Sequence, residues 1–170
     1  LGDIWTTKMR YCGEDIAKHD DWLAKRWDAV VADDDDVWLL GDMSRGAEPA
    51  EVGRWIQARP GRKHLVRGNH DMHLSHYEWW EMGFYDVLDE RAMELRDGTE
   101  VWLSHYPQAR CPGIGVTLHG HTHRRVKSRR DDADGTLLVH VGWDAWRRMV
   151  PEAGLISEIE GLHATVVDDS

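Results

Sequence analysis

The sequence predicts a layered α/β protein with mixed strand directions. Helix-periodic stretches alternate with short apolar runs through the first half of the chain. In the second half several apolar runs follow one another, separated by turn residues. At 170 residues, with no internal repeat, no Pro/Gly/Ser linker and no composition shift, one domain spanning 1–170 is expected. A chain of this length buries roughly 70% of its unfolded surface and needs no staple to fold.

The elements follow in order. From about Glu14 to Ala32, the apolar residues Ile16, Leu23, Trp27, Val30 and Val31 recur at helical spacing among charges. Four aspartates, Asp33 to Asp36, then end the helix, because negative charge opposes the dipole at a helix carboxyl end. A solvated turn is the expected form of that run, rather than a site for a hard cation. Val37-Trp38-Leu39-Leu40 is a short buried strand closed by Gly41. Pro49 suits a helix start, and Val52, Trp55 and Ile56 give that helix an apolar face. Lys63 to Arg67 is a second strand, again closed by glycine. Met72 to Met82 is predicted helical. Ala92 to Leu95 and Glu100 to Leu103 flank Asp97-Gly98, a hairpin signal. Val116 to His119 and Thr136 to Val141 are further strands, and Pro151 opens a final short helix through Ile159.

Composition narrows the function. Acids outnumber bases 31 to 21, a formal net charge of −10, which argues against broad, sequence-independent nucleic-acid binding. Mean hydropathy is −0.60, and no run approaches the ~18 apolar residues of a membrane span, so no membrane partner is expected. Cys12 and Cys111 make neither a disulfide framework nor a thiolate zinc knuckle. They point to a reducing compartment, and a cytoplasmic protein is expected. The chain starts at Leu1 rather than methionine, and nothing at 1–14 has a targeting pattern.

Four strands end alike. VWLL runs into Gly41-Asp42, HLVR into Gly68-Asn69-His70-Asp71, EVWL into Ser104-His105-Tyr106-Pro107, and VTLH into Gly120-His121-Thr122-His123. In open α/β sheets, ligands gather beyond the carboxyl ends of strands, and glycine there lets the backbone approach them. The donors are a carboxylate (Asp42), a neutral amide oxygen (Asn69) and imidazoles (His105, His121, His123). A mixed O/N set without thiolate suits Mn²⁺, Fe, Zn²⁺, Co²⁺ or Ni²⁺. Two histidines at i and i+2 on a loop can serve different ions, and an aspartate can bridge two. The natural product is a two-metal centre, which stabilises both the attacking and the leaving oxygen of an in-line displacement.

GD (41–42), GNHD (68–71), SHYP (104–107) and GHTH (120–123), in that order, resemble the calcineurin-like metallophosphoesterase superfamily. The fuller strings GRKHLVRGNHD (61–71), LSHYP (103–107), LHGHTH (118–123) and VGWDAW (141–146) resemble its small single-domain bacterial and phage members. The resemblance implies an α-β-β-α sandwich with mixed sheets and a metal site at the carboxyl ends of strands. It also implies a phosphoester hydrolase, a phosphodiesterase or phosphatase with the diester slightly preferred, working through a hydroxide held between two divalent ions. Carried over by motif, Asp42 bridges both metals, Asn69, His105 and His121 bind one, and His123 binds the other. His70 and Asp71 form the catalytic pair, with His70 facing the scissile phosphate and assisting the leaving oxygen, and Asp71 its neighbour behind. The family's first motif, D-x-H, is absent, and the expectation is that the numbering starts just after it.

The remaining residues have plainer readings. His64 is a satisfied core or edge residue, His119 is structural, and His19, His73, His76, His140 and His163 serve surface or packing. Trp22, Trp27, Trp38, Trp55, Trp102 and Trp146 fall at core-like spacings, and Trp79-Trp80 is packing rather than a base-stacking patch. The cluster Arg124, Arg125, Lys127, Arg129 and Arg130 reads as a solvated hairpin; beside a phosphate site it would instead hold a second phosphate or a nucleic-acid strand. The rival functions are a degenerate, non-catalytic binding protein on the same fold and a nuclease. Two divalent ions would offset four of the ten net negative charges where the phosphate must land.

Overall fold

A computed structural model describes residues 15–45, 47–123 and 125–167. The expectations for Cys12, for the start of the first helix at Glu14, for Arg124 and for a motif before Leu1 lie outside these residues. Two compact units, Leu1–Asp89 and Glu90–Ser170, divide the chain, and the described elements form a mixed α/β fold with no closed barrel.

In the first unit, helix α1 spans Ile16–Asp28 and starts at Asp15, whose carboxylate accepts from the Lys18 N–H at 2.9 Å. His19, Leu23 and Trp27 are its buried face. It ends earlier than the apolar spacing suggests. The N–H groups of Val30 and Val31 both turn back to the Trp27 carbonyl, and Ala32 donates to the Asp35 carboxylate at 2.8 Å. The acidic run therefore shapes its own turn, and Val30 is left exposed. Asp36 is not part of that solvated turn; it begins strand β1.

Strands β1 (Asp36–Leu39), β2 (Arg62–Val66) and β3 (Asp86–Leu88) lie in that order as a parallel sheet. Helices α2 (Pro49–Gln57) and α3 (His76–Glu81) make the connections that parallel strands require. The core is Met43, Val52, Ile56, Leu65, Trp79 and Phe84. Trp79 and Phe84 meet edge to face with centroids 5.8 Å apart. Trp80, one residue on, is exposed, so packing accounts for Trp79 alone.

Helix α3 is shorter than the expected Met72–Met82. Ser75 and Glu78 form a capping box that fixes the start, and before it the chain turns through Asp71 N–H to Gly68 O and Leu74 N–H to Asp71 O. Strand β3 has no counterpart in the sequence reading, because three residues carry no measurable period.

His64 ties this sheet together. In the strand register Trp38, His64 and Asp86 are neighbours. His64 Nε2 lies 2.8 Å from Asp36 Oδ1 and Nδ1 lies 3.2 Å from Asp86 Oδ2, while the ring stacks on Trp38 at 4.3 Å. It is a satisfied core histidine, as the sequence reading held.

In the second unit, β4 (Glu90–Glu94) and β5 (Glu100–Ser104) form the expected hairpin, with Gly98 at φ +87° in the turn. The sheet order is β4-β5-β6-β8-β7, with β6 at Val116–His119, β7 at Ser128–Arg130 and β8 at Leu137–His140. β5, β6 and β8 run parallel and β7 closes the edge antiparallel. The central strands β6 and β8 are buried at every position, the polar Thr117, His119 and His140 included. β7 is a charged edge strand, one arm of the solvated hairpin expected of this basic segment. Helices α4 (Trp143–Trp146) and α5 (Glu152–Val167) follow. α4 is too short for a period to reveal, and α5 continues past Ile159. Trp27 and Trp146 are buried, whereas Trp22, Trp38, Trp55 and Trp102 are half-buried. Among the described residues no helix is long and apolar enough to cross a membrane.

Arg62 donates two hydrogen bonds to Asp36, at 2.8 and 2.7 Å. Together with His64 they hold the Asp36 carboxyl well below its usual 3.8. A depressed folded pKa gives stability that is present above the unfolded value and lost as pH falls below it. Asp36→Asn is therefore expected to lower stability near pH 7 and to flatten its decline below about pH 4. Because Asp36 is half-exposed, the effect discounted for solvent is about 1 kcal/mol or less. Urea titrations at several pH values measure it, and an unchanged acid limb would contradict the assignment.

Candidate metal centre

The ends of β1 and β2 supply the first group of candidate residues. Gly41 (φ +83°) and Asp42 (φ +56°) are both left-handed, a conformation that costs a non-glycine residue roughly 1–2 kcal/mol. The Asp71 carboxylate holds this turn in place. It is fully buried and accepts three backbone N–H bonds: from Asp42 at 2.7 Å, Gly68 at 2.8 Å and Met43 at 2.9 Å. Burial pushes the Asp71 carboxyl above its usual value, against the pull of those three donors. Its carbonyl accepts from Trp79 Nε1 at 2.9 Å, which anchors the GNHD turn to the core. Asp42 Oδ1 accepts the His70 N–H at 3.0 Å, and His70 O accepts from His73 Nδ1 at 2.9 Å. Asn69 is exposed and His70 half-buried. The first unit thus brings Asp42, His70 and Asp71 into one hydrogen-bonded group.

The ends of β5 and β6 supply the second. His105 directly follows β5 and is buried. His121, after β6, is exposed and takes φ +57°, again left-handed without being glycine. His105 Nε2 and His121 Nδ1 lie 3.1 Å apart with the rings nearly perpendicular. Two imidazole nitrogens at about 2.0–2.1 Å from one ion lie roughly 2.9–3.4 Å apart for ligand angles between octahedral and tetrahedral. The pair has the spacing of two ligands on one metal, so the residues fit a divalent ion. His123 turns elsewhere: its Nδ1 lies 3.0 Å from Oδ2 of the buried Asp144.

His119 stays structural. It is buried, stacks on His140 at 5.3 Å and donates from Nδ1 to the Gly120 carbonyl at 2.9 Å. Burial pushes its pKa down to about 4, so the ring is neutral near pH 7. Within the basic segment, the Lys127 ammonium sits 4.5 Å over the Trp146 ring, and Arg130 donates to the Gly135 carbonyl. Asp144 is the residue the sequence reading left without a role. The string VGWDAW contains it, but a single carboxylate in a four-residue helix offers no spacing to interpret.

Asp71→Ala removes the acceptor for three backbone N–H groups, and an unsatisfied buried donor costs about 1–3 kcal/mol. A loss of about 3 kcal/mol or more is expected in urea unfolding, with faster hydrogen exchange at the amides of Asp42, Met43 and Gly68. Unchanged protection at these three amides would contradict the role given to Asp71.

The model of the calcineurin-like phosphoesterases matches residues 12–158, running through both units. The gene 66 protein of Mycobacterium phage L5 is 34% identical, over 96% of this chain and 94% of its own length. The gene 66 protein of Mycobacterium phage D29 is 32% identical, over 89% and 92%. A symmetrical bis(5'-nucleosyl)-tetraphosphatase of Chromobacterium violaceum is 30% identical over 51% of this chain, which spans 31% of that protein. A solved structure of a protein of unknown function from Aquifex aeolicus is 23% identical, with a TM-score of 0.49, covering 76% of this chain and 72% of that one. With its strand-end motifs inside the matched span, the chain belongs to the calcineurin-like phosphoesterase family, whose members hydrolyse phosphoesters with divalent metal ions.

Proposed function

We propose that the chain is a dinuclear-metal phosphoester hydrolase. Asp42 would be shared by both ions; Asn69, His105 and His121 would hold one, and His123 would hold the other. The observation that carries this is the 3.1 Å separation of His105 Nε2 and His121 Nδ1, two aromatic nitrogens converging at neighbouring strand ends. Asp42 supports it as well, its carboxylate standing on a left-handed turn that Asp71 holds in place. When bound, the ions supply a lowered pKa for an attacking water and positive charge against the phosphoryl oxygens. The family match runs through both units, which supports one catalytic domain.

The chain's own groups do the rest. His70 donates a proton or hydrogen bond from its ring to the leaving oxygen, and its backbone is held by Asp42 Oδ1. Asp71 acts on that step only through the two turns it fastens. The substrate is a phosphate ester. A diester is favoured slightly over a monoester. The acid excess of the chain, 31 acids to 21 bases, keeps nucleic acid the less favoured partner despite the basic segment.

The test is Mn²⁺-dependent hydrolysis of bis-p-nitrophenyl phosphate, with p-nitrophenyl phosphate as the monoester comparison. Asp42→Asn and His121→Ala are each expected to lower turnover by about 100-fold or more, as loss of a charge-stabilising group at the reacting centre does. Mn²⁺-dependent turnover that survives both substitutions would remove these residues from the site. A folded protein that binds metal and turns over neither ester would point to the non-catalytic relative.

A further inference from the structure

We propose that Asp144 is a positioning residue for the metal centre: its buried carboxylate holds His123 as the Nδ1–H tautomer and so selects Nε2 as the coordinating nitrogen. The inference rests on reading His123 as a metal ligand. Asp144 Oδ2 lies 3.0 Å from His123 Nδ1, and Asp144 is 5% exposed. An ionised carboxylate can only accept, so the proton must sit on Nδ1, and a neutral imidazole then carries its lone pair on Nε2.

The carboxylate is itself rigidly placed. Helix α4 has only four residues and is fixed at both ends. At its start, Gly142 passes so close to His140 that a Cβ there would meet Nε2 at 2.5 Å, an approach only glycine permits. At its end, Trp146 is buried and donates from Nε1 to the His140 carbonyl at 2.7 Å, and Arg147 takes φ +59° to stop the helix. α4 is therefore pinned against the end of β8, one strand away from β6, whose following loop carries His121 and His123. His105 and His121 orient each other through their facing nitrogens, whereas His123 takes its orientation from a carboxylate. A carboxylate on the far nitrogen also makes the ligating nitrogen more basic, and losing such a partner typically costs about 10–100-fold in metal affinity.

Two measurements on the full chain test this. In the metal-free protein, long-range ¹H–¹⁵N spectra of the imidazoles should report His123 as Nδ1–H. In Asp144→Ala they should report Nε2–H or a mixture. Titration with Co²⁺, followed by its visible bands, should show the ion held through His123 bound about 10–100-fold more weakly in Asp144→Asn, a variant that keeps the side-chain volume. The same substitution should add nothing in a His123→Ala background, since Asp144 acts through that ring. A His123 that keeps its Nδ1 proton in Asp144→Ala overturns the inference. So does an Asp144→Asn protein with unchanged Co²⁺ affinity while His123→Ala weakens it. If His123→Ala itself leaves Co²⁺ binding unchanged, the metal-ligand reading of His123 fails instead.

Discussion

A buried carboxylate that satisfies three backbone N–H groups is the constraint on which the strand-end turns of the first unit depend. Asp71 receives Asp42, Met43 and Gly68 from the turns that follow two adjacent parallel strands. Its own N–H returns to Gly68 O, and its carbonyl holds the indole of Trp79. Every polar atom of this residue is therefore used to join strand ends to core. Desolvating a carboxylate is costly, and three donors offset the cost only while both turns keep their shape. The strained conformation of Asp42 is held in the same way. Its N–H donates to Asp71 and its side chain accepts from His70, so left-handed backbone persists at a residue that would otherwise relax.

Strain marks the second unit too. Asp42, His121 and Arg147 are the three non-glycine residues with left-handed backbone among the described residues. Two of them are assigned ligands, and the third ends the short helix that carries Asp144. Such conformations survive where the surroundings over-determine them, and inference runs from the observed outlier to a role. In each unit the framework is parallel strands whose buried apolar runs stop together. The proposed ligands sit on the turns that follow them.

Much of this was legible from residues alone. The runs VWLL, HLVR, EVWL and VTLH each mark a strand, because a short mainly apolar run bounded by turn residues suits a largely buried strand, and Gly98 takes the positive φ that the hairpin turn at Asp97-Gly98 needs. The four strand-end motifs named the ligand candidates. What escaped was too short to carry a period: β3 and α4. The helix expected from Met72 failed because Asp71 and Ser75 spend their side chains on loop and cap, which hydropathy does not register. Val30 extended a helical pattern beyond the helix, since an apolar residue in a turn looks the same in sequence as one in the next helical turn. His64 was read correctly as a core residue, but its two carboxylate partners come from other strands and only register brings them together. Asp144 escaped for the same reason, its meaning lying in a contact across 21 positions.

The central claim is that one set of strand-end residues holds two ions. Anomalous diffraction at the manganese edge, from crystals of the protein grown with Mn²⁺, tests it most directly. The account predicts two peaks about 3.5–4 Å apart, with Asp42 touching both, Asn69, His105 and His121 on one, and His123 on the other. A single peak, or manganese bound away from His105 and His121, would contradict it.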